Sequence, residues 1–341
     1  MKKILKLFIS IMPLFILSSC SIKTIFNDSF IALGTVIDIT IYNDLDSQSH
    51  YNDIKKIMLD ISNVSNQYEL LSDKTYSIYN LNKERIIYNK DNNTYYSLLS
   101  DLLNVSFEIK DKTNGYFNPF IGNLSNKWKT FIESGDAINY PKLDEINYLL
   151  DEMNSSSIEI NDEYITIKGD ACIDLGAIAK GYAVSKALDY LKDNNVSNFI
   201  INAGQSNISF GVKPNNKYTI QLTDFNTKLN VLNTIGIVKG NNNNITTSAM
   251  GEQSIYYNNS YIHHIISPIT GYPMSYYSTV LVFEEDPMYA DPYTTAIFSM
   301  DIDTAKQFIK DNNLSSILYS NIDDKGLLYK SDLVGDYFNE A

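Results

Sequence analysis

Cysteine is nearly absent from this chain: Cys20 and Cys172 are the two in 341 residues. So small a number cannot build a disulfide framework, and stability must come from a packed core, which this length permits. Histidine is almost as scarce, with three residues, and no Cys/His cluster has zinc-site spacing. There is no GxxxxGK[ST] phosphate loop, no GxGxxG turn and no GxSxG elbow, so the commonest nucleotide-cradle and serine-hydrolase signatures are excluded. Positive charge is also short, 27 Lys and Arg against 40 Asp and Glu, for a net charge of −13. So acidic a balance argues against nucleic acid as a partner. An anionic substrate would need a cation supplied locally. Beyond the first twenty residues no apolar run is long enough to span a bilayer.

What is present begins with an address. Lys2, Lys3 and Lys6 precede an apolar run that ends in Leu17-Ser18-Ser19-Cys20. The run is too short for a spanning helix and reads as a secretory signal. Its ending resembles a bacterial lipobox, in which the cysteine becomes the lipidated N-terminus; an ordinary signal peptide with a free Cys20 is the alternative. Cleavage before Cys20 removes three lysines and no acid, which takes the net charge from −13 to −16. The expected organisation is a signal peptide over 1–19, a lipid-anchored tether over 20–29 and one domain over 30–341. That domain would stand outside the cytoplasm, held to the membrane by its lipid alone.

Hydrophobic periodicity sets the expected elements. Residues 30–42 alternate as a strand interrupted at Gly34-Thr35. Ile54, Ile57, Met58, Ile61 and Val64 share one helical face, and Leu98, Leu99, Leu102, Leu103, Ser106 and Phe107 another, closed at Gly115. Residues 72–94 and 134–147 are polar connections or poorly patterned helix. Residues 158–160 and 164–167 read as a strand pair. Further strands are expected at 199–201, 218–222, 229–232, 235–238, 276–284, 317–319 and 327–329, with a loop at 241–244 and a helix near 304–310. At Asp291-Pro292 an aspartate cap and a first-turn proline open a helix. Sheets before and after clustered helices, without regular alternation, give an α+β fold of mainly antiparallel strands.

The chemistry centres on residues 171–187, ACIDLGAIAKGYAVSKA. Here a strand leads into Asp174, Gly176, Lys180 and Gly181, then into a helical face of Ala179, Ala183, Ala187, Leu188 and Leu191. Glycines that allow close approach and amides at a helix start suit a phosphate-bearing ligand; a purely structural turn is the alternative. His263 and His264 are adjacent, and strand alternation sends their rings to opposite faces. Asp291 and Thr295, four apart, can turn two hard oxygens toward one point, which suits Mg²⁺ completed by substrate phosphates. Asp291 as a plain helix cap is the competing reading.

The combination is more specific than its parts. In order stand Leu33-Gly34-Thr35, Gly115-Tyr116-Phe117-Asn118-Pro119 with Trp128, the run 173–183, Ile201-Asn202-Ala203-Gly204, Thr246-Thr247-Ser248, His263-His264-Ile265-Ile266, and Ala290-Asp291 with Thr295. Over residues 30–329 this series resembles the ApbE family of FAD:protein FMN transferases, commonly bacterial lipoproteins. The resemblance implies a T-fold-like single domain and Mg²⁺ held by the Ala177 carbonyl, Asp291 and Thr295. It implies FAD contacts at Leu33, Trp128, Asp174, Lys180 and the backbone near Ile265. It also implies transfer of FMN from FAD to a serine or threonine hydroxyl on a flavoprotein subunit of a membrane redox complex, with release of AMP. His264 ranks first, before Asp174, as acceptor of the hydroxyl proton. A Mg²⁺-dependent FAD pyrophosphatase and a non-catalytic FAD-binding lipoprotein are the rival readings. Four positions depart from the family pattern. Ala203-Gly204-Gln205 replaces a Gly-Gly pair, Ala249 a glycine and Ser267 an aspartate, while Asp291-Pro292 replaces a more pliant helix start.

Overall fold

The computed structural model describes residues 25–68, 76–226, 231–251, 253–322 and 325–341. The signal segment and Cys20 lie outside the described residues. The first element is a hairpin of β1 (Ile25–Ala32) and β2 (Thr35–Tyr42), paired antiparallel around Leu33 and Gly34. Both turn residues have positive φ, 53° and 72°, the backbone a two-residue hairpin turn requires. Two expectations are corrected here. Gly34 reverses the chain rather than interrupting one strand, and residues from Ile25 onward belong to β1 rather than to a tether. One face of β1 hid the strand, because Asn27, Ser29 and Ile31 point to solvent.

α1 (Ser47–Ser65) buries Tyr51, Ile54, Met58, Ile61 and Val64 along one face. α2 (Ile78–Glu84) and β3 (Ile86–Tyr88) lie in the segment expected to be connection or poorly patterned helix. α3 (Thr94–Lys112) ends where Asn114 and Gly115 take positive φ. α4 (Gly122–Ser134) and α5 (Leu143–Ser155) precede β4 (Ser157–Ile160) and β5 (Tyr164–Lys168), and β5 pairs with both β3 and β4. α6 (Ala179–Asp193) is the helix of the 171–187 stretch. After it come β6 (Phe199–Ala203), β7 (Asn207–Phe210), β8 (Tyr218–Asn226), β9 (Val231–Gly240), β10 (Asn243–Ala249), β11 (Ser254–Tyr257), β12 (Ser260–His263) and β13 (Thr279–Phe283). β9 joins two strands expected separately, and β10 takes in Asn243 and Asn244 from the expected loop. α7 (Pro287–Phe298), α8 (Ile302–Asp311), β14 (Ser315–Ser320), β15 (Gly326–Lys330) and β16 (Phe338–Glu340) complete the chain.

The principal sheet has eight strands in the order β1-β2-β6-β7-β10-β13-β14-β15, and every pairing among the described strands is antiparallel. Alternation along β13 shows its two faces: Val280 and Val282 join the large core shared with the helices, Leu281 and Phe283 a second core. The three-stranded sheet β16-β9-β8 covers that second face with Tyr218, Leu222, Ile235, Val238 and Phe338. The fold is α+β, as expected. Among the described residues no helix is long and apolar enough to cross a membrane.

Candidate active site

The turn between β5 and α6 is held from three sides before it meets the site. Asn82 accepts the Ile173 N–H at 2.7 Å and donates to the Ile173 carbonyl at 2.8 Å. The Arg85 guanidinium donates to the carbonyls of Ala171 (3.0 Å) and Gly169 (2.5 Å), and the Asp174 N–H donates to the Pro119 carbonyl at 2.8 Å. So clamped, the turn offers Asp174, Gly176 and Ala177 to a cavity of about 740 Å³. Pockets that enclose small molecules run from about 300 to 1,000 Å³.

Leu33, Asp174, Ala177, Lys180, His264, Ile265, Asp291 and Thr295 all line that cavity. They come from the β1–β2 turn, the turn before α6 and α6 itself, the segment after β12, and α7, so Leu33 and Thr295 stand 262 positions apart in the chain. Trp128 does not line it. The indole is fully buried, donates its N–H to the Gly271 carbonyl at 2.8 Å, and packs edge-on against Phe131, Tyr140 and Tyr272. The expected flavin contact at Trp128 is therefore corrected: α4 presents Ser125 and Lys129 to the cavity, and Trp128 points the other way into the core.

Asp291 is also placed differently from the expectation. The cap and first-turn proline of α7 are Asp286 and Pro287, Asp286 accepting the Met288 N–H at 2.9 Å, so Asp291 and Pro292 lie inside the helix. The Asp291 carboxylate is buried between α7 and α6. Its Oδ2 accepts the Gly181 N–H at 2.9 Å and its Oδ1 accepts from Asn207 Nδ2 at 3.1 Å. A Cβ at position 181 would lie 2.2 Å from the Pro287 carbonyl oxygen and 2.6 Å from Asp291 Cβ, so glycine is what lets the two helices close. The Gly181 amide, near the start of α6, is therefore committed to Asp291. Burial pushes the Asp291 carboxyl above its ordinary pKa; Lys180, the Gly181 N–H and the Asn207 amide pull it back down. One turn on, Thr295 Oγ1 lies 3.5 Å from both Ser248 Oγ and the Asp291 carbonyl.

These residues fit a hard divalent cation. The Asp291 carboxylate oxygens accept one hydrogen bond each, which leaves lone pairs on both. The Thr295 hydroxyl and the turn at Ala177 line the same cavity, and carboxylate, hydroxyl and carbonyl oxygens are what Mg²⁺ takes. Among the described residues no group of three or more His, Cys, Asp and Glu could hold a metal. A cation here would thus keep positions for water or substrate oxygens. Asp174 is differently engaged, with Oδ1 on the Gly176 N–H at 2.8 Å and Oδ2 on the Ser125 hydroxyl at 2.7 Å.

The two histidines separate as alternation requires. His263 is fully buried, with Phe298 edge-on at 5.4 Å. Its Nδ1 accepts the Ile265 N–H at 3.3 Å, so its Nε2 carries the proton and donates to the Met274 carbonyl at 2.9 Å. Its place is structural. His264 is half-buried on the cavity wall, and its Nδ1 has no hydrogen-bond partner among the described residues. Burial, reinforced by the positive charge of Lys180, pushes its pKa down to about 4. The ring is neutral near pH 7 and able to accept a proton.

Sequence reasoning missed part of the wall. Asn66, Gln67 and Tyr68 follow α1 in a stretch without periodicity, and the Lys129 ammonium sits 3.8 Å over the Tyr68 ring. No pattern signals such residues; only the approach of α4 to the end of α1 brings them together. Two departures from the family pattern fall in turns. Gln205 takes the left-handed backbone (φ 62°) beside Gly204, so the β6–β7 turn is kept. Ser267 is buried off the cavity, where its hydroxyl accepts the Ile269 N–H at 3.3 Å and holds a turn.

Comparison with known proteins adds the following. The model of the ApbE family matches residues 33–318. The chain is 31% identical over 132 residues to a Klebsiella pneumoniae protein named FAD:protein FMN transferase, a match taking in 38% of this chain and 40% of that one. It is 23% identical over 350 residues to a Haemophilus influenzae protein of the same name, with 97% and 96% covered. In structure it is similar to the ApbE protein of Thermotoga maritima, with a TM-score of 0.77 at 22% identity over 93% of this chain and 100% of that one, a likeness of fold.

Proposed function

The chain belongs to the ApbE family, and from that premise we propose that it is a Mg²⁺-dependent FAD:protein FMN transferase. The reading is carried by one observation. A buried carboxylate, a hydroxyl one helical turn away, a lysine, a second carboxylate and a neutral imidazole face a single cavity: Asp291, Thr295, Lys180, Asp174 and His264. On a chain this acidic, such a place is where a pyrophosphate can be received.

In the reaction the acceptor's serine or threonine oxygen attacks the phosphorus of the FMN phosphate. The bond from that phosphorus to the bridging oxygen breaks, and AMP leaves with the electron pair. The hydroxyl proton passes to a base. His264 is the first choice because its neutral ring lies on the wall, and Asp174 is the second. Lys180 sets a fixed positive charge beside the pyrophosphate, and the clamped turn at Asp174 needs little reorganisation. Mg²⁺, held by the Ala177 carbonyl, Asp291 and Thr295, would supply further charge neutralisation. Phosphoryl transfer asks chiefly for positioning and neutralisation of this kind.

The acceptor is a flavoprotein subunit of a membrane redox complex, and the enzyme is a lipoprotein held by Cys20 at the outer face of a membrane. The first rests on the resemblance to the family, the second on the lipobox-like ending at Cys20. The test incubates the full chain in detergent with FAD and Mg²⁺, with and without a threonine-bearing acceptor. Intact mass and AMP are then measured. An acceptor heavier by one FMN, with AMP released only in its presence, is expected. AMP and free FMN without acceptor would make the protein a pyrophosphatase, and intact bound FAD in both tubes a carrier. Asp291→Ala should abolish turnover while FAD binding falls less; unchanged turnover would remove the metal assignment.

A further inference from the structure

The sheet face turned toward α6 and α7 carries polar side chains where a buried face is ordinarily apolar. Asn207 and Ser209 of β7 stand directly opposite Thr246 and Asn244 of β10, and none of the four is more than 1% exposed. Hydrogen bonds run through them in one direction. Ser209 Oγ donates to Asn244 Oδ1 at 2.7 Å, and Asn244 Nδ2 to Thr246 Oγ1 at 3.1 Å. Thr246 Oγ1 then donates to Asn207 Oδ1 at 2.8 Å, and Asn207 Nδ2 to Asp291 Oδ1 at 3.1 Å.

The direction is dictated from the Asp291 end. A carboxylate only accepts, so Asn207 must present its nitrogen there and its oxygen to Thr246. The Thr246 hydroxyl must then donate to Asn207, which leaves its oxygen to receive the Asn244 amide. Asn244 in turn shows its own oxygen to Ser209. Each member is satisfied only because the next is present, and removal of one strands a buried polar atom. None of the four lines the cavity, so the ladder reaches the site through Asp291 alone.

We propose that this ladder is a positioning device for the Asp291 carboxylate, with Asn207 its terminal positioning residue. Together with the Gly181 N–H on the other oxygen, it fixes the carboxylate plane and leaves the remaining lone pairs to a divalent cation. Asn207 and the Gly181 amide add no formal charge, so this anchoring leaves the carboxylate's negative charge for the cation. Partners placed behind a metal ligand in this way commonly change metal affinity by about 10- to 100-fold when removed. The inference rests on the assignment of Asp291 as a cation ligand.

The experiment titrates Mg²⁺, and separately Mn²⁺, by calorimetry into the full chain in detergent. Wild type, Asn207→Leu and Thr246→Val are compared, with thermal melts and FAD affinity in metal-free buffer alongside. Cation affinity should fall about tenfold or more in Asn207→Leu and by a smaller factor in Thr246→Val, with FAD affinity in both within about twofold of wild type. A purely structural ladder would lower melting temperatures and leave cation affinity unchanged, and that result overturns the proposal. Should Asn207→Leu not fold, Thr246→Val, close to the native side chain in shape, decides alone. A wild type that binds no divalent cation overturns the metal assignment and the ladder together; a wild type that binds, with variants that bind equally, overturns the ladder only.

Discussion

At the scale of the residue, the adjacent histidines show how far alternation carries. A period of two assigns His263 and His264 to opposite faces from the sequence alone. What each face meets is a tertiary matter: for His263 it is Phe298 and the Met274 carbonyl, for His264 the cavity. His264→Gln, which keeps a polar side chain of similar reach, should lower kcat by about 10²- to 10⁴-fold, the usual worth of a positioned base. FAD affinity should change by no more than a few-fold. Turnover at the wild-type rate would transfer the role to Asp174. Trp128 teaches the reverse lesson. The resemblance implies a flavin contact at this lone tryptophan, yet its indole N–H is tied to Gly271 and its ring to three aromatic neighbours. Large side chains of this type contribute most by burial.

At the scale of the element, the same dipeptide occurs twice at α7, Asp286-Pro287 at its start and Asp291-Pro292 within it. Either can open a helix by local chemistry. The first does, and the second lies inside the helix, where Asp291 accepts the Gly181 N–H of α6. That contact joins residues 110 positions apart, which no window of sequence contains. The contact also sets a prediction. Gly181→Ala adds a methyl at 2.2 Å from the Pro287 carbonyl oxygen, and the helices must part. Overpacking of this kind costs about 1–3 kcal/mol, more than the gain of up to about 1 kcal/mol in helix propensity. Denaturant unfolding should therefore show a lower midpoint than wild type. A midpoint equal to or above it would mean that α6 and α7 are not packed this closely.

At the scale of the whole molecule, an acidic chain of net charge −13 turns Lys129 and Lys180 toward one cavity, where they offset the Asp174 and Asp291 carboxylates. The proposed anchor belongs to this scale as well. Cys20→Ser should move the protein from the membrane to the soluble fraction, and a wild type already soluble would refute the lipid. The sequence by itself determined the α+β class, the amphipathic faces of α1, α3 and α6, the β4–β5 pair, the opposed histidines and the i, i+4 pair of Asp291 and Thr295. These are matters of local period and residue chemistry. Only the tertiary structure decided that Gly34 closes a hairpin, that Trp128 faces the core and that Asp291 sits within α7 rather than at its start. It alone also joined Ser209, Asn244, Thr246 and Asn207 to the Asp291 carboxylate. The last three of those outcomes depend on which distant surface a side chain meets, and no local window of sequence holds that surface; the hairpin was hidden by the solvent-facing side of β1.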